Sequence, residues 1–198
     1  MCLISEEELI SISSSAFLNL LLHVFRFWSK NPTGEKKVVF GVLLGYIEGD
    51  TRYIKKVAPL LHQDNRNFVM DEVFMKNVGK INKKELDSGS VNEVIGWYRS
   101  TNDGIKFTAR DIKNHINFQE FNLMFIGLII DPSLFSAENY GFSVYRLEGD
   151  KYYNMMSPHM KIPWEIEPIE NPEEIIIDFR GYISNYFQNQ PLITELNE

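Results

Sequence analysis

Cysteine is almost missing from this chain of 198 residues, where Cys2 is the only one. No internal disulfide can form, and no zinc site made from several cysteines can exist. A reducing, intracellular setting is the simplest expectation, and cytoplasmic is the expected location. Histidine is scarce too: His23, His62, His115 and His159 fall in neither a His-x-His nor a His-Glu-x-x-His pattern. Long apolar runs are lacking. The most apolar stretch, Ala16 to Trp28, is shorter than the roughly 20 residues of a bilayer span, and it contains His23 and Arg26. Glu6, Glu7 and Glu8 precede it, where a signal peptide would be basic. Neither a membrane span nor a leader is expected. Basic residues are outnumbered 20 to 27, a net charge of −7, which disfavours general nucleic-acid binding. There is no internal repeat, low-complexity tract, long linker, Gly-x-Ser-x-Gly elbow or phosphate-cradling glycine loop.

Hydrophobic residues at 44% and aromatics at 13% supply a core, so one globular domain is expected. Leu9 to Ile12 reads as a short strand, and Ser13, Ser14 and Ser15 offer caps for a helix from Ala16 to Lys30. The unbroken apolar run Val38 to Ile47 reads as a buried central strand, in which Gly41 and Gly45 mark close backbone packing. Glu48-Gly49-Asp50 turns it into a strand from Arg52 to Ala58, ended by Pro59, with a polar loop from His62 to Asn65. Asp71 caps a helix with Val73, Phe74, Val78 and Ile81 on one face. Val91 to Tyr98 is a strand, Thr108 caps a helix from Ala109 to Phe118, and Leu123 to Ile130 is a buried strand stopped by Asp131-Pro132. Phe142 to Leu147 and Tyr152 to Met155 read as a hairpin, Lys161 to Ile169 as a further strand, and Pro172 to Gln188 as a last helix. This mixed order predicts an α/β domain, with helices flanking a mixed, mostly antiparallel sheet.

Few residues offer chemistry. Cys2 has no neighbouring base. Ser100 sits at a strand end without a local histidine. Asp111 and His115 share a helix face four residues apart and would hold a metal only with a third ligand; a plain Asp–His pair is the simpler reading. The stretch from Val91 to Gly104 is where a strand ends in clustered polar groups. Sites in α/β folds collect at such ends.

Val38-Val39-Phe40-Gly41-Val42-Leu43-Leu44-Gly45 resembles the opening strand of the MPN (JAMM-type) domain core, and Val94-Ile95-Gly96-Trp97-Tyr98 resembles its signature strand. Leu128-Ile129-Ile130-Asp131-Pro132 and Tyr145-Arg146-Leu147 follow in the family's order. The resemblance implies a layered, cytidine-deaminase-like MPN domain over 1–170, with a C-terminal helix and tail over 171–198. Active members of the family are zinc isopeptidases that remove ubiquitin or its relatives. They use two histidines and an aspartate as ligands and a glutamate as proton shuttle. By the resemblance, that glutamate position falls on Val38 and the histidine positions on Arg99 and Thr101. Asn102 stands at the family's proline, and Thr108 and Asp111 at its serine and aspartate, with a loop one residue shorter.

Only Asp111 keeps a ligand's chemistry. Valine cannot move a proton, and Arg99 brings a fixed positive charge to the cation's place. The expectation is therefore a non-catalytic member without a cofactor, in which Arg99 pairs with Asp111. Its partner would be a second copy or another MPN protein, as in inactive subunits of the proteasome lid, the signalosome and the translation-initiation complex. Phe17, Leu21, Phe25 and Trp28 on the first helix, or Phe179, Ile183 and Phe187 on the last, are the expected contact surfaces. The alternatives are a ubiquitin-like-protein binding module and an isopeptidase with its metal relocated to Asp111 and His115. The tail after the core strands holds one helix, which favours a small dimer over a large helical bundle.

Overall fold

The computed structural model describes residues 8–29, 37–63, 69–136, 140–148 and 157–168. Within them run β1 (Leu9–Ile12), α1 (Ser14–Ser29), β2 (Val38–Glu48), β3 (Thr51–Gln63), α2 (Glu72–Asp87) and β4 (Glu93–Ser100). They continue with α3 (Ala109–Gln119), β5 (Ile126–Phe135), β6 (Tyr140–Leu147), β7 (His159–Ile162) and β8 (Trp164–Ile166). The strands form one mixed sheet in the order β7-β6-β5-β4-β2-β3-β1-β8. β1 runs parallel to β3 and β8, and β4 parallel to β5; the other pairs are antiparallel.

The two edge strands are consecutive in sequence, with only Pro163 between them. Two residue steps span at most about 7 Å, so the sheet must curl until its opposite edges meet. The Ile10 amide donates to the Pro163 carbonyl at 3.0 Å, and Trp164 of β8 stacks on Phe142 of β6 at 4.2 Å across the seam. Lys161 to Ile169 is therefore two short strands at opposite edges, because Pro163 breaks the ladder.

Both faces of the sheet are apolar, which explains the unbroken run in β2. Val39 and Leu43 pack with Leu20, Val24 and Phe27 of α1. Val38, Phe40, Val42 and Leu44 pack on the other face with Phe74 and Val78 of α2 and Ile112 and Phe118 of α3. This alternation follows from the two-residue period of a strand. Ile95 lies in a bulge opposite β2, since Leu43 pairs with Gly96 and Leu44 with Val94.

Some expected boundaries move. β3 does not end at Pro59 but runs to Gln63, through His62. It is bulged there, Phe40 facing Leu61 and Gly41 facing Pro59. β1 covers only Thr51 to Ile54 of its outer side, so the proline's missing N–H falls on an uncovered edge. β5 likewise continues past Asp131-Pro132 to Phe135; the proline sits in the irregular stretch between Ile130 and Phe135, where the register with β6 shifts. β4 begins at Glu93 and ends at Ser100, which leaves Val91 79% exposed. Val73 is 66% exposed, because Phe74, Asn77 and Val78 form the inward stripe of α2 instead. β6 pairs with β7, and the strand expected over Tyr152 to Met155 lies outside the described residues, as does the helix from Pro172 to Gln188. No helix among the described residues is long and apolar enough to cross a membrane.

A Cβ on Gly45 would lie 1.7 Å from the Tyr53 carbonyl oxygen, whereas one on Gly79 in α2 would meet nothing within 4 Å. Gly45→Ala must push β2 from β3 and is expected to cost about 3 kcal/mol or more. Gly79→Ala is expected to stabilise by about 0.5–1 kcal/mol, as alanine in place of glycine does inside a helix. Urea unfolding of the two variants checks both signs.

Candidate functional site

Strand parity aims the site. Trp97 packs on the face covered by α2 and α3, so Arg99, two residues on, points the same way. Val38 and Phe40 of β2 share that face, and Arg99 pairs in register with Phe40 on one side and Ile129 on the other. α3 begins opposite this point. Thr108 caps it in extended conformation, and Thr108 and Asp111 form a reciprocal capping box. The result is a cleft of about 200 Å³ lined by Val38, Phe40, Arg99, Thr101, Asn102, Lys106, Thr108, Arg110 and Asp111 among others. The positions named from the resemblance, Val38, Arg99, Thr101, Thr108 and Asp111, thus meet around one space.

At its centre Arg99 grips Asp111 with both arms of its guanidinium. Nε donates to Oδ1 at 2.5 Å and Nη2 to Oδ2 at 2.6 Å. Asp111 is 2% exposed. The Thr108 amide and hydroxyl both donate to Oδ2, at 2.7 and 2.6 Å. A buried carboxylate is tolerable only when paired and hydrogen-bonded, and here two residues satisfy it. Arg99 further donates from Nη1 to the Ser100 carbonyl and from Nη2 to the Lys106 carbonyl, each at 3.3 Å.

The loop after β4 is held from below. The Thr101 amide donates to the Ile130 carbonyl at 2.8 Å. Gly104 takes a positive φ of 84°, which suits glycine, and its amide donates to Asp131 Oδ2 at 2.8 Å. Asp131, read from sequence only as a strand stop, is 1% exposed and anchors this loop while its Oδ1 accepts from Ser133. Ser100 Oγ accepts from the Val39 amide at 3.0 Å, so it ties β4 to β2.

Asp111 and His115 are not brought together as ligands. His115 is wholly buried, and Trp97 Nε1 donates to its Nδ1 at 3.0 Å. Burial pushes its imidazole down to about 3 from an ordinary 6.5, so it stays neutral at physiological pH. Of the expected interface residues, Phe17 and Leu21 are partly buried against the core, and Phe25 meets Trp28 and Phe135 edge-on. Phe179, Ile183 and Phe187 lie outside the described residues.

Fold and cleft together define a mixed α/β domain with a polar site where a central strand ends beside the first turn of a helix. The family model described as JAB1/Mov34/MPN/PAD-1 ubiquitin protease matches residues 6–123, well over half of the chain, and the chain belongs to that family. No curated protein matches it. The zinc of the family's active members does not fit the residues present. The cleft's buried carboxylate is taken by a guanidinium, and Val38 and Thr101 stand where a proton shuttle and a ligand are needed. Among the described residues no three His, Cys, Asp or Glu side chains come together.

Two outcomes follow for stability. Arg99→Ala leaves Asp111 buried with Thr108 alone and is expected to cost about 3–5 kcal/mol, with Arg99→Lys recovering only part, since lysine lacks the planar fork. Chemical denaturation of both variants measures this. For His115, the unfolded chain takes up a proton near pH 6.5 that the folded chain refuses until about 3. Its contribution is therefore complete above pH 6.5 and lost as pH falls, at about 1.4 kcal/mol per unit within that window. His115→Gln should flatten the fall in unfolding free energy between pH 6 and 5; an unchanged slope would sink the assignment.

Proposed function

We propose that this chain works by binding and not by catalysis: it is an MPN-family scaffold or regulatory module that pairs with itself or with a second MPN protein. The setting is a ubiquitin-like modification, proteasome-related or translation-related assembly. The observation that carries the reading is the Arg99–Asp111 pair, with Nε and Nη2 on the two carboxylate oxygens. Hydrolysis by this family's chemistry needs a cation with an open position for water and a base beside it. Here the carboxylate's charge is neutralised by a group that cannot give up its proton, and Val38 offers no base. The cytidine-deaminase-like layering expected of the family is part of this reading, supported by α1 on one sheet face and α2 with α3 on the other.

A second reading is a binding module for a ubiquitin-like protein, favoured by one observation: the cleft persists at about 200 Å³ despite the changed residues. Titration with a ubiquitin-like protein separates it from the scaffold reading, which expects no dependence on the cleft.

The deciding experiment takes the purified chain through metal analysis, a ubiquitin-fusion cleavage assay and a native mass measurement. The expected result is no stoichiometric zinc, no cleavage, and a mass of at least two chains of 23.1 kDa or of a complex with another protein. One zinc per chain together with cleavage would overturn the proposal.

A further inference from the structure

The chain carries a net charge of −7, yet its cleft reverses that sign. Arg99, Lys106 and Arg110 line it against Asp103 and Asp111. Arg99 and Asp111 cancel each other through their two hydrogen bonds. What is left facing the space is Lys106 and Arg110 against Asp103, an excess of positive charge. The donors are also in excess. Asn102 Nδ2 is buried and, among the described residues, donates to nothing. Thr101 Oγ1 already accepts from the Asp103 amide at 3.3 Å. Uncommitted N–H groups beside an excess of positive charge suit an acceptor that bears negative charge.

These donors stand on a fixed frame. The Lys106 carbonyl accepts from Arg99 Nη2 at 3.3 Å, which sets the backbone of Lys106 beside the ion pair. The Gly104 amide is held by the buried Asp131 at 2.8 Å. Asn102 and Lys106 thus lie on a loop pinned at both ends, and Arg110 in the first turn of α3, next to Asp111. A preorganised set of donors loses little freedom when a ligand arrives.

We propose that this cleft binds a small oxyanion, a phosphate or a carboxylate group, through Asn102, Lys106 and Arg110, while Arg99 stays committed to Asp111. The inference deepens the non-catalytic reading and rests on it in one respect, that no metal cation competes for the cleft. Its ligand is recognised by charge and by donor geometry and undergoes no reaction there.

The test titrates the full chain with inorganic phosphate and, separately, with acetate at low ionic strength, with chloride as the control anion. Binding is followed by calorimetry and by the amide NMR shifts of residues 101 to 111. Saturable binding near 1 mM is expected for one of the two anions, which also tells phosphate from carboxylate, and none for chloride. Lys106→Ala with Arg110→Ala should weaken it about tenfold or more, the scale of one charged hydrogen bond. Lys83→Ala with Lys84→Ala on α2 makes the same change in net charge away from the cleft and should leave affinity unchanged. Absence of saturation with both anions, or an equal loss in the two double variants, overturns the proposal. Zinc analysis of the same sample keeps the two readings apart: metal-free protein that ignores both anions sinks the oxyanion site alone.

Discussion

The pairing of Arg99 with Asp111 is the constraint on which the rest of the site depends. Asp111 is almost fully buried at the start of α3, and an ionised carboxylate in such a place requires a counter-charge. Arg99 supplies it from the end of β4, and the same carboxylate accepts from the Thr108 amide and hydroxyl. One side chain therefore closes the helix cap, fixes the strand end and forms the floor of the cleft. Removing it would disturb all three together, so the cleft's shape and the stability of the α3 start are one property.

That pair can form only because the sheet delivers Arg99 to the correct face. The ladder alternates strictly in this region: Trp97 and Arg99 face α3, while Tyr98 faces α1, where its hydroxyl lies 2.8 Å from His23 Nδ1. A shift of one residue would bury the guanidinium among Leu20, Val24 and Phe27 and leave Asp111 without a partner. Register is pinned at several points. Ser100 Oγ takes the Val39 amide, the Ile95 bulge sits between β4 and β2, and the close backbone contact at Gly45 admits no side chain. The curled sheet, joined at Pro163, adds a closure that leaves little room for sliding.

Much of this could be read in the sequence, and for physical reasons. The run Val38 to Ile47 announced a strand buried on both faces, and Thr108 with Asp111 fitted a helix start by local hydrogen-bonding chemistry. The meeting of Val38, Arg99, Thr101, Thr108 and Asp111 came from resemblance, not from spacing, because β2 and α3 are far apart in the chain. What escaped was set by tertiary context. Pro59 and Pro132 are breakers by local rule, yet both sit within strands, because an uncovered edge or an irregular stretch asks nothing of the missing N–H. Asp131 read as punctuation, whereas its task is to hold the Gly104 amide across the loop. The separation of β7 from β8 to opposite edges leaves no local signal beyond Pro163 itself.

A guanidinium in the place of a metal changes what the cleft can do, and the difference is one of valence. A metal with three protein ligands keeps an open position and can acidify a water placed there. Arg99 has no open position of that kind; its donors are directed at Asp111 and at the Ser100 and Lys106 carbonyls. It preserves the electrostatic balance that Asp111 requires while supplying no Lewis acidity. A fold built this way keeps its cleft and its helix cap without any bound ion, so its assembly does not depend on metal supply. The cost is reactivity, and the capacity that remains is recognition: a preformed surface of donors whose charge opposes that of the protein around it.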